Sequence, residues 1–301
     1  MSTLRPAWAV VGLALVLVVA SFALGGVAWN ARGGAAPQKP IQVVTSTSVF
    51  ADLIVNVGGQ RVRVVPLLGE GTDPHAWEPT TRDIRALSSA DIFIYNGLGL
   101  EPWAPRLLTG GGRPDLVVVE LAAGLAPESP EGVNPHLWLD VTYAIAYVRR
   151  IEQALASFDP AGAAYYRARA DAYAAELAEL DRWFQEQIER IPPERRVLIT
   201  YHNAYEYMAQ RYGLESAGFL VQSPDHEPSA QVMARLVQVM RERGVPAVFV
   251  EPQVNPRLAE ALAQETGARI GVLYTDSLTA AAPTYVAMMR ANAETLVALL
   301  Q

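Results

Sequence analysis

The chain has 301 residues, of which 51% are hydrophobic and 18% charged, and this balance excludes a disordered protein or a coiled coil. Its 31 acidic and 24 basic side chains give a net charge of -7, which argues against nucleic acid as a partner. The chain contains no cysteine, so disulfides, thiolate metal sites, cysteine nucleophiles and lipid attachment through cysteine are excluded. Any metal site must therefore use aspartate, glutamate and the four histidines.

Residues 1–30 are predicted to be a signal peptide or a signal anchor. The segment from Trp8 to Trp29 has no charged residue, and its 22 residues at about 1.5 Å each could cross a bilayer core of about 30 Å. Its length favours an uncleaved anchor, whereas the small residues of the triplet Ser21-Phe22-Ala23 favour cleavage, and both alternatives stay open. In either case we expect the rest of the chain outside the cytoplasm, after a flexible tether at residues 31–40.

Short apolar runs alternate with helical patterns from residue 41 onward. The runs are rich in Val, Ile and Leu, which suits strands that are buried on both faces of a parallel sheet. The predicted strands are Ile41–Thr45, Arg61–Pro66, Asp91–Tyr95, Leu116–Glu120, Arg196–Tyr201, Gly218–Val221, Ala247–Val250 and Arg269–Leu273. Predicted helices between them include Ser48–Val57, Thr81–Ala90, Tyr205–Arg211, Ser229–Arg243 and Pro256–Thr266. This alternation predicts an α/β fold with two lobes, at residues 41–159 and 192–301, each with a four-stranded parallel sheet.

A different composition separates the two lobes. Residues 160–191 are rich in Ala, Glu, Arg and Leu, and Asp159 and Pro160 are typical of a helix N-terminus. A helix of about thirty residues is about 45 Å long. We therefore expect one backbone helix that runs along both lobes and joins them in a single crossing. A connector this stiff should permit less hinge motion than several flexible strands.

Histidine and acidic residues occur where predicted strands end. His75 lies in the loop after the second strand, while His202, Glu251 and Asp276 follow strands of the second lobe. Ligands of open parallel sheets bind beyond the carboxyl ends of the strands. His136 fits the same crevice if its loop folds back. Spacing alone leaves a structural or surface role open for each histidine, but imidazole and carboxylate together suit Zn²⁺, Mn²⁺ or Fe²⁺.

Seven segments in chain order resemble the substrate-binding proteins of zinc and manganese ABC importers, also called helical-backbone metal receptors. The resemblance covers about residues 41–301. Its segments are Asp73–Thr80 (DPHAWEPT), Tyr95–Trp103 (YNGLGLEPW), Asn134–Asp140 (NPHLWLD), Thr200–Tyr205 (TYHNAY), Glu227–Ala230 (EPSA), Val250–Gln253 (VEPQ) and Tyr274–Leu278 (YTDSL). The resemblance implies that a metal ion is bound between the two lobes.

The resemblance also implies which residues bind the metal. They are His75 and His136 from the first lobe, and His202 and Asp276 from the second. Zinc-type members have histidine at the third position and manganese-type members often have glutamate, so His202 favours Zn²⁺, with Mn²⁺ or Fe²⁺ as the alternative. Three imidazoles and one carboxylate also suit four-coordinate zinc. The segment Gly124–Val133 departs from many zinc members, because it has no histidine-rich loop.

Other conspicuous residues are assigned supporting roles. Glu251 is a ligand or, as we favour, an acceptor for the N–H of a coordinating histidine. His226 matches no ligand position and is interpreted as a surface-loop residue. Three tryptophans are expected to close the cleft by packing: Trp77, Trp103 and Trp138.

Together, the residues and the resemblance predict an extracytoplasmic receptor that captures a divalent metal ion and delivers it to an ABC permease in the cytoplasmic membrane. We expect a monomer that binds no nucleic acid, has no catalytic residues and contacts the membrane through its N-terminal helix if that helix is not cleaved. Affinity should fall as the pH drops through about 6.5, because imidazole binds metal only when neutral.

Two alternatives belong to other classes of protein. In a zinc hydrolase or lyase, three histidines leave an open metal position for a reactive water. Asp276 discriminates against that alternative if it occupies the fourth position. A surface adhesin is the second alternative, although the sequence contains no separate module for adhesion.

Overall fold

A computed structural model of the chain describes residues 39–127, 133–224, 226 and 228–301. The predicted signal or anchor at residues 1–30 and most of the tether lie outside these residues. Within the described part of the chain, no helix has the length and apolar character needed to cross a membrane.

The first sheet is built from the N-terminal strands of the α/β alternation. Its elements are β1 (Ile41–Thr45), α1 (Ser48–Gly58), β2 (Val62–Pro66), α2 (Thr81–Ser88), β3 (Ile92–Tyr95), α3 (Ala104–Gly111) and β4 (Val117–Glu120). The strands are parallel and lie in the order β2-β1-β3-β4. Helix α2 begins with a capping box, in which the side chains of Thr80 and Asp83 satisfy free N–H groups of the first turn.

Two long helices lead to the second sheet, α4 (Val141–Phe158) and α5 (Ala163–Glu189). The following elements are β5 (Val197–His202), α6 (Glu206–Tyr212), β6 (Glu215–Val221), α7 (Ala230–Arg243), β7 (Ala247–Val250), α8 (Arg257–Thr266), β8 (Arg269–Val272) and α9 (Tyr285–Leu300). These strands are also parallel, in the order β6-β5-β7-β8. Each sheet therefore has its second strand at one edge and its fourth at the other, and the predicted pair of four-stranded parallel sheets is confirmed.

Helix α5 is the predicted long backbone helix. Its 27 residues span about 40 Å, and it packs on α1 and α4 of the first lobe and on α6 and α9 of the second. It begins three residues later than its sequence pattern suggests, because Pro160–Gly162 form a 3₁₀ turn whose Gly162 N–H donates to the Asp159 side chain. Its buried face repeats every three to four residues and contains Tyr166, Ala170, Tyr173, Leu177, Leu180, Phe184 and Ile188.

Helices α4 and α9 are not among the helices named from the strand–helix alternation, and both pack against α5. Neither belongs to a strand–helix–strand alternation: α4 precedes the backbone helix, and α9 follows the last strand. With α5 they form a helical layer that contacts both lobes. One hydrophobic core runs through this layer and includes Phe50 of the first lobe, Phe184 of α5 and Tyr212 of the second lobe. The two lobes are therefore joined by shared packing as well as by the chain.

We expect Phe184→Ala to lower the free energy of unfolding by about 3–5 kcal/mol, because truncation leaves a cavity in this shared core. Phe184 is fully buried, and its ring stacks on Tyr212 with a centroid distance of 4.1 Å. Urea denaturation of the wild type and of Phe184→Ala measures the effect. Phe158→Ala is the control, because Phe158 is 41% exposed and its truncation leaves no buried cavity. Equal losses in the two variants would contradict a core that depends on Phe184.

Candidate metal centre

Four side chains from separate elements converge between the two sheets. His202 is the last residue of β5, and Asp276 lies four residues beyond the end of β8. His75 lies in the loop between β2 and α2, and His136 directly precedes a short 3₁₀ turn before α4. The crevice at the carboxyl ends of the strands therefore contains all four residues that the sequence analysis singled out as metal ligands.

The potential ligand atoms of these residues all lie within 4.8 Å of one another. The Nε2 atom of His136 is 3.3 Å from Nε2 of His75 and 3.3 Å from Nε2 of His202. The same nitrogen is 3.6 Å from Oδ1 of Asp276. Three imidazole nitrogens and one carboxylate oxygen thus surround a small volume.

Burial differs among the four residues. His136, His202 and Asp276 are buried, whereas His75 is partly exposed. A cleft of about 660 Å³ reaches His75 and His136. Its walls come from both lobes and include Asn134 of the first and Glu206 of the second. An ion could therefore reach the centre from this side.

The carboxylate of Asp276 has two unlike oxygens. Oδ2 accepts hydrogen bonds from Thr275 Oγ1 at 3.1 Å and from Gln253 Nε2 at 3.4 Å. Oδ1 is buried without a hydrogen-bond partner and is the oxygen near His136. An orphaned buried carboxylate oxygen is costly unless a cation or a donor compensates it. A metal ion among these four side chains fits that requirement.

Two of the imidazoles are oriented by partners on the side away from the centre. Nδ1 of His202 lies 2.9 Å from Oε1 of the fully buried Glu251. Nδ1 of His136 lies 2.8 Å from Oδ1 of Asn134, an oxygen that also accepts the His136 backbone N–H at 3.1 Å. An acceptor oxygen lies beside Nδ1 in both cases, which favours the tautomer with the proton on Nδ1 and the lone pair on Nε2, where it can bind a cation.

The pKa of His136 is lowered at this centre, whereas the pKa of His202 is raised. Burial lowers the pKa of His136 well below its ordinary value, and the neighbouring His202 and His75 lower it further. Burial alone would also lower the pKa of His202, but Glu251 and Asp276 outweigh it and the net pKa is raised. Burial raises the pKa of Asp276 to about 7, against the effect of His202. Without a cation, the buried charges are poorly compensated.

The structure places the remaining predicted residues as follows. Glu251 lies beside Nδ1 of His202, and His226 is exposed in a surface loop outside the cluster. Trp103 and Trp138 are fully buried, and Trp77 packs edge-on against Trp103 at a centroid distance of 4.5 Å.

Sequence reasoning missed three polar roles around the centre. Asn134 orients His136, Gln253 donates to Asp276, and the Trp138 indole donates to the carbonyl of Thr275 at 3.0 Å. All three residues lie in segments that carry the family resemblance, but the partners are up to 137 residues apart in sequence. The pairing of Asn134 with His136 is local, because the two residues are two positions apart, whereas no local pattern shows the pairings of Gln253 and Trp138.

The comparisons with known proteins agree with one another on the family. The sequence model of the zinc-uptake complex component A family, described as periplasmic, matches residues 43–299. The chain is 35% identical over 288 residues to the manganese-binding lipoprotein MntA of Halalkalibacterium halodurans, with 94% of this chain and 96% of that protein covered. It is 32% identical over 268 residues to the iron-binding protein YfeA of Yersinia pestis, with 86% of each covered.

A solved structure extends the likeness to the fold. The periplasmic zinc-binding protein TroA from Treponema pallidum superposes with a TM-score of 0.82 at 30% identity, covering 87% of this chain and 99% of that chain. The relatives are named for manganese, iron and zinc, and they are binding proteins, which leaves no support for a hydrolase or lyase. The resemblance drawn from the sequence is confirmed: the chain belongs to the family of metal-binding ABC transporter substrate-binding proteins, which are solute-binding proteins and not enzymes.

Proposed function

We propose that this chain is an extracytoplasmic receptor that captures Zn²⁺ with His75, His136, His202 and Asp276 and delivers it to an ABC permease. The observation that carries the proposal is the convergence of three Nε2 atoms and one orphaned carboxylate oxygen within 4.8 Å. Glu251 orients His202 from behind and does not bind the ion.

The preference for zinc rests on the number and spacing of the donors. Around a zinc ion with bonds of about 2.0–2.1 Å, two nitrogens at tetrahedral corners are about 3.3–3.4 Å apart. The spacing of 3.3 Å from His136 to each of the other two histidines fits that geometry. Asp276 offers one free oxygen, whereas Mn²⁺ prefers more oxygen ligands. Mn²⁺ and Fe²⁺ are the alternatives, since relatives are named for both.

Attachment to the membrane would differ from that of relatives named as lipoproteins, such as MntA. This chain has no cysteine to carry a lipid. We propose that any attachment depends on the apolar segment within residues 1–30, and that the receptor is free in the extracytoplasmic space if that segment is cleaved.

Elemental analysis of protein purified without added metal tests the ligand assignment. The wild-type chain should contain about one zinc per chain, and His202→Ala should lose it, because three of the four donors cannot complete the site. His226→Ala is the matched control, since His226 is exposed and outside the cluster. Stoichiometric manganese or iron in the wild type would show that the receptor binds that metal and not zinc. Absence of every transition metal would refute the proposal.

Replacement of Glu251 by glutamine should weaken zinc binding by about 10–100-fold without removing the site, because the acceptor behind a ligating histidine raises its basicity and fixes its ring. Competition with a chromogenic chelator measures the affinity. Glu265→Gln is the control, as Glu265 is exposed on the surface. A larger loss, equal to that of His202→Ala, would indicate that Glu251 binds the ion directly.

Bound metal should also stabilise the fold. Zinc at about 100 times its dissociation constant should add about 2.7 kcal/mol to the free energy of unfolding, and a chelator should remove this gain. Thermal unfolding of the wild type and of His202→Ala, each with zinc and with chelator, measures it. The proposal fails if zinc raises the melting temperature of both proteins equally.

A further inference from the structure

The segment Thr275–Tyr285 carries Asp276 and leads from β8 into α9. By sequence it belongs to the second lobe. Its hydrogen bonds, however, run largely to the first lobe, which contributes the loop after β2, helix α1 and Trp138 close to His136. The segment that carries Asp276 is thus hydrogen-bonded mainly to the lobe to which it does not belong by sequence. These bonds affect how Asp276 is held next to the three histidines.

Next to Asp276, the first lobe contacts the segment from two sides. The indole of Trp138 donates to the carbonyl of Thr275 at 3.0 Å, and the N–H of Gly71 donates to the hydroxyl of Ser277 at 3.3 Å. Trp138 is fully buried and lies two residues beyond His136. The residues on both sides of Asp276 in the chain are thus bonded to the first lobe.

Further along, the segment is bound to helix α1 and to the loop after β2. The N–H of Leu278 donates to the hydroxyl of Ser48 at 2.8 Å. The N–H of Ala280 donates to the carboxylate of Glu70 at 3.1 Å. Both donors are backbone groups, so these bonds hold the path of the chain itself.

The segment ends at the N-terminus of α9, where Asp52 of α1 accepts the N–H of Tyr285 at 2.9 Å. The first N–H groups of a helix lack partners within the helix, and a carboxylate there is favoured by the helix dipole. Asp52 also accepts the hydroxyl of Tyr173 in α5 at 3.4 Å, and the hydroxyl of Tyr285 donates to the carbonyl of Trp138 at 2.6 Å.

The second lobe contacts Thr275 and Asp276 through one side chain, that of Gln253. Gln253 Nε2 lies 3.3 Å from Thr275 Oγ1 and 3.4 Å from Asp276 Oδ2. Asn292 of α9 bonds both backbone groups of Tyr274, which precedes the segment. The bonds from second-lobe residues to the backbone thus end at Tyr274, and those from first-lobe residues begin at Thr275.

We propose that Asp276 is positioned by the first lobe, through Ser48 and Asp52 of α1, so that the four donors divide three to one. His75, His136 and Asp276 move as one group, and His202 with Glu251 forms the other. This inference rests on the proposed function. Separation of the lobes by the permease then removes a single imidazole from the ion and leaves a three-donor remnant, from which the ion escapes.

The proposal makes Ser48 and Asp52 positioning residues, which affect the ion only through the segment that carries Asp276. Loss of either should let Asp276 leave the ion more often and so raise the rate of zinc release. Hydrogen bonds of this kind have modest net strength, so we expect release to be about three- to tenfold faster in Ser48→Ala and in Asp52→Asn.

The test mixes zinc-loaded protein with excess chromogenic chelator in a stopped-flow instrument. Ser48→Thr keeps the hydroxyl and should release zinc at the wild-type rate. Asp159→Asn is the control for Asp52→Asn, because Asp159 also accepts a backbone N–H and a tyrosine hydroxyl, but far from the segment that carries Asp276. Asp159 pairs with Arg61 as well, so this control should cost at least as much stability. The unfolding free energy of each metal-free variant is measured in parallel.

The expected result is faster release in Ser48→Ala and Asp52→Asn, and wild-type release in Ser48→Thr and Asp159→Asn, even if both aspartate variants lose similar stability. Wild-type release rates in Ser48→Ala and Asp52→Asn would overturn the inference. The inference would also be overturned if Asp159→Asn accelerated zinc release as much as Asp52→Asn does. If the wild type does not retain zinc, the proposed function fails. If it retains zinc but the variants release it at the wild-type rate, only the inference fails.

Discussion

The buried carboxylate of Asp276 meets three imidazole nitrogens at the junction of the two sheets, with one of its oxygens unpaired. Burying an uncompensated charge costs several kcal/mol, and the nearby imidazoles cannot all be protonated, since burial lowers the pKa of His136. A divalent cation bound there would compensate the carboxylate and use the lone pairs of the imidazoles at once. Burial raises the pKa of Asp276 to about 7, and a bound ion would favour the charged carboxylate instead.

Such an arrangement persists only if the surrounding structure prevents the donors from collapsing or separating. The four donors come from four different segments, so no single helix or loop determines their spacing. The shared core supplies the necessary rigidity: α4, α5 and α9 pack together and contact both lobes, and the Trp138 ring lies 5.2 Å from both Phe50 and His136. Packing around Trp138 thus connects the hydrophobic core directly to a donor.

The sequence predicted the strands well because buried parallel strands are short, apolar and bounded by polar residues, which a local pattern shows. The four donors came from the family resemblance, since three histidines separated by more than sixty residues have no local signature. Helices α4 and α9 lie outside the strand–helix alternation from which the helices were predicted. The contacts of Trp138, Ser48 and Asp52 could not be predicted, because they join residues from distant parts of the chain. Ser48 and Leu278, for example, are 230 residues apart.

The stiff connector and the unequal division of donors address one difficulty, namely how a receptor that binds an ion among four protein ligands can still release it. We expect a long helix inside a continuous core to permit only small relative movements of the lobes, so release should not need a wide opening. Loss of one imidazole requires only a small displacement of β5, since metal–nitrogen bonds of about 2.0–2.1 Å tolerate little stretching. If Asp276 moved with His202, two bonds would break together and the barrier would be higher. With Asp276 held by the first lobe, the displacement that the fold permits acts on a single ligand.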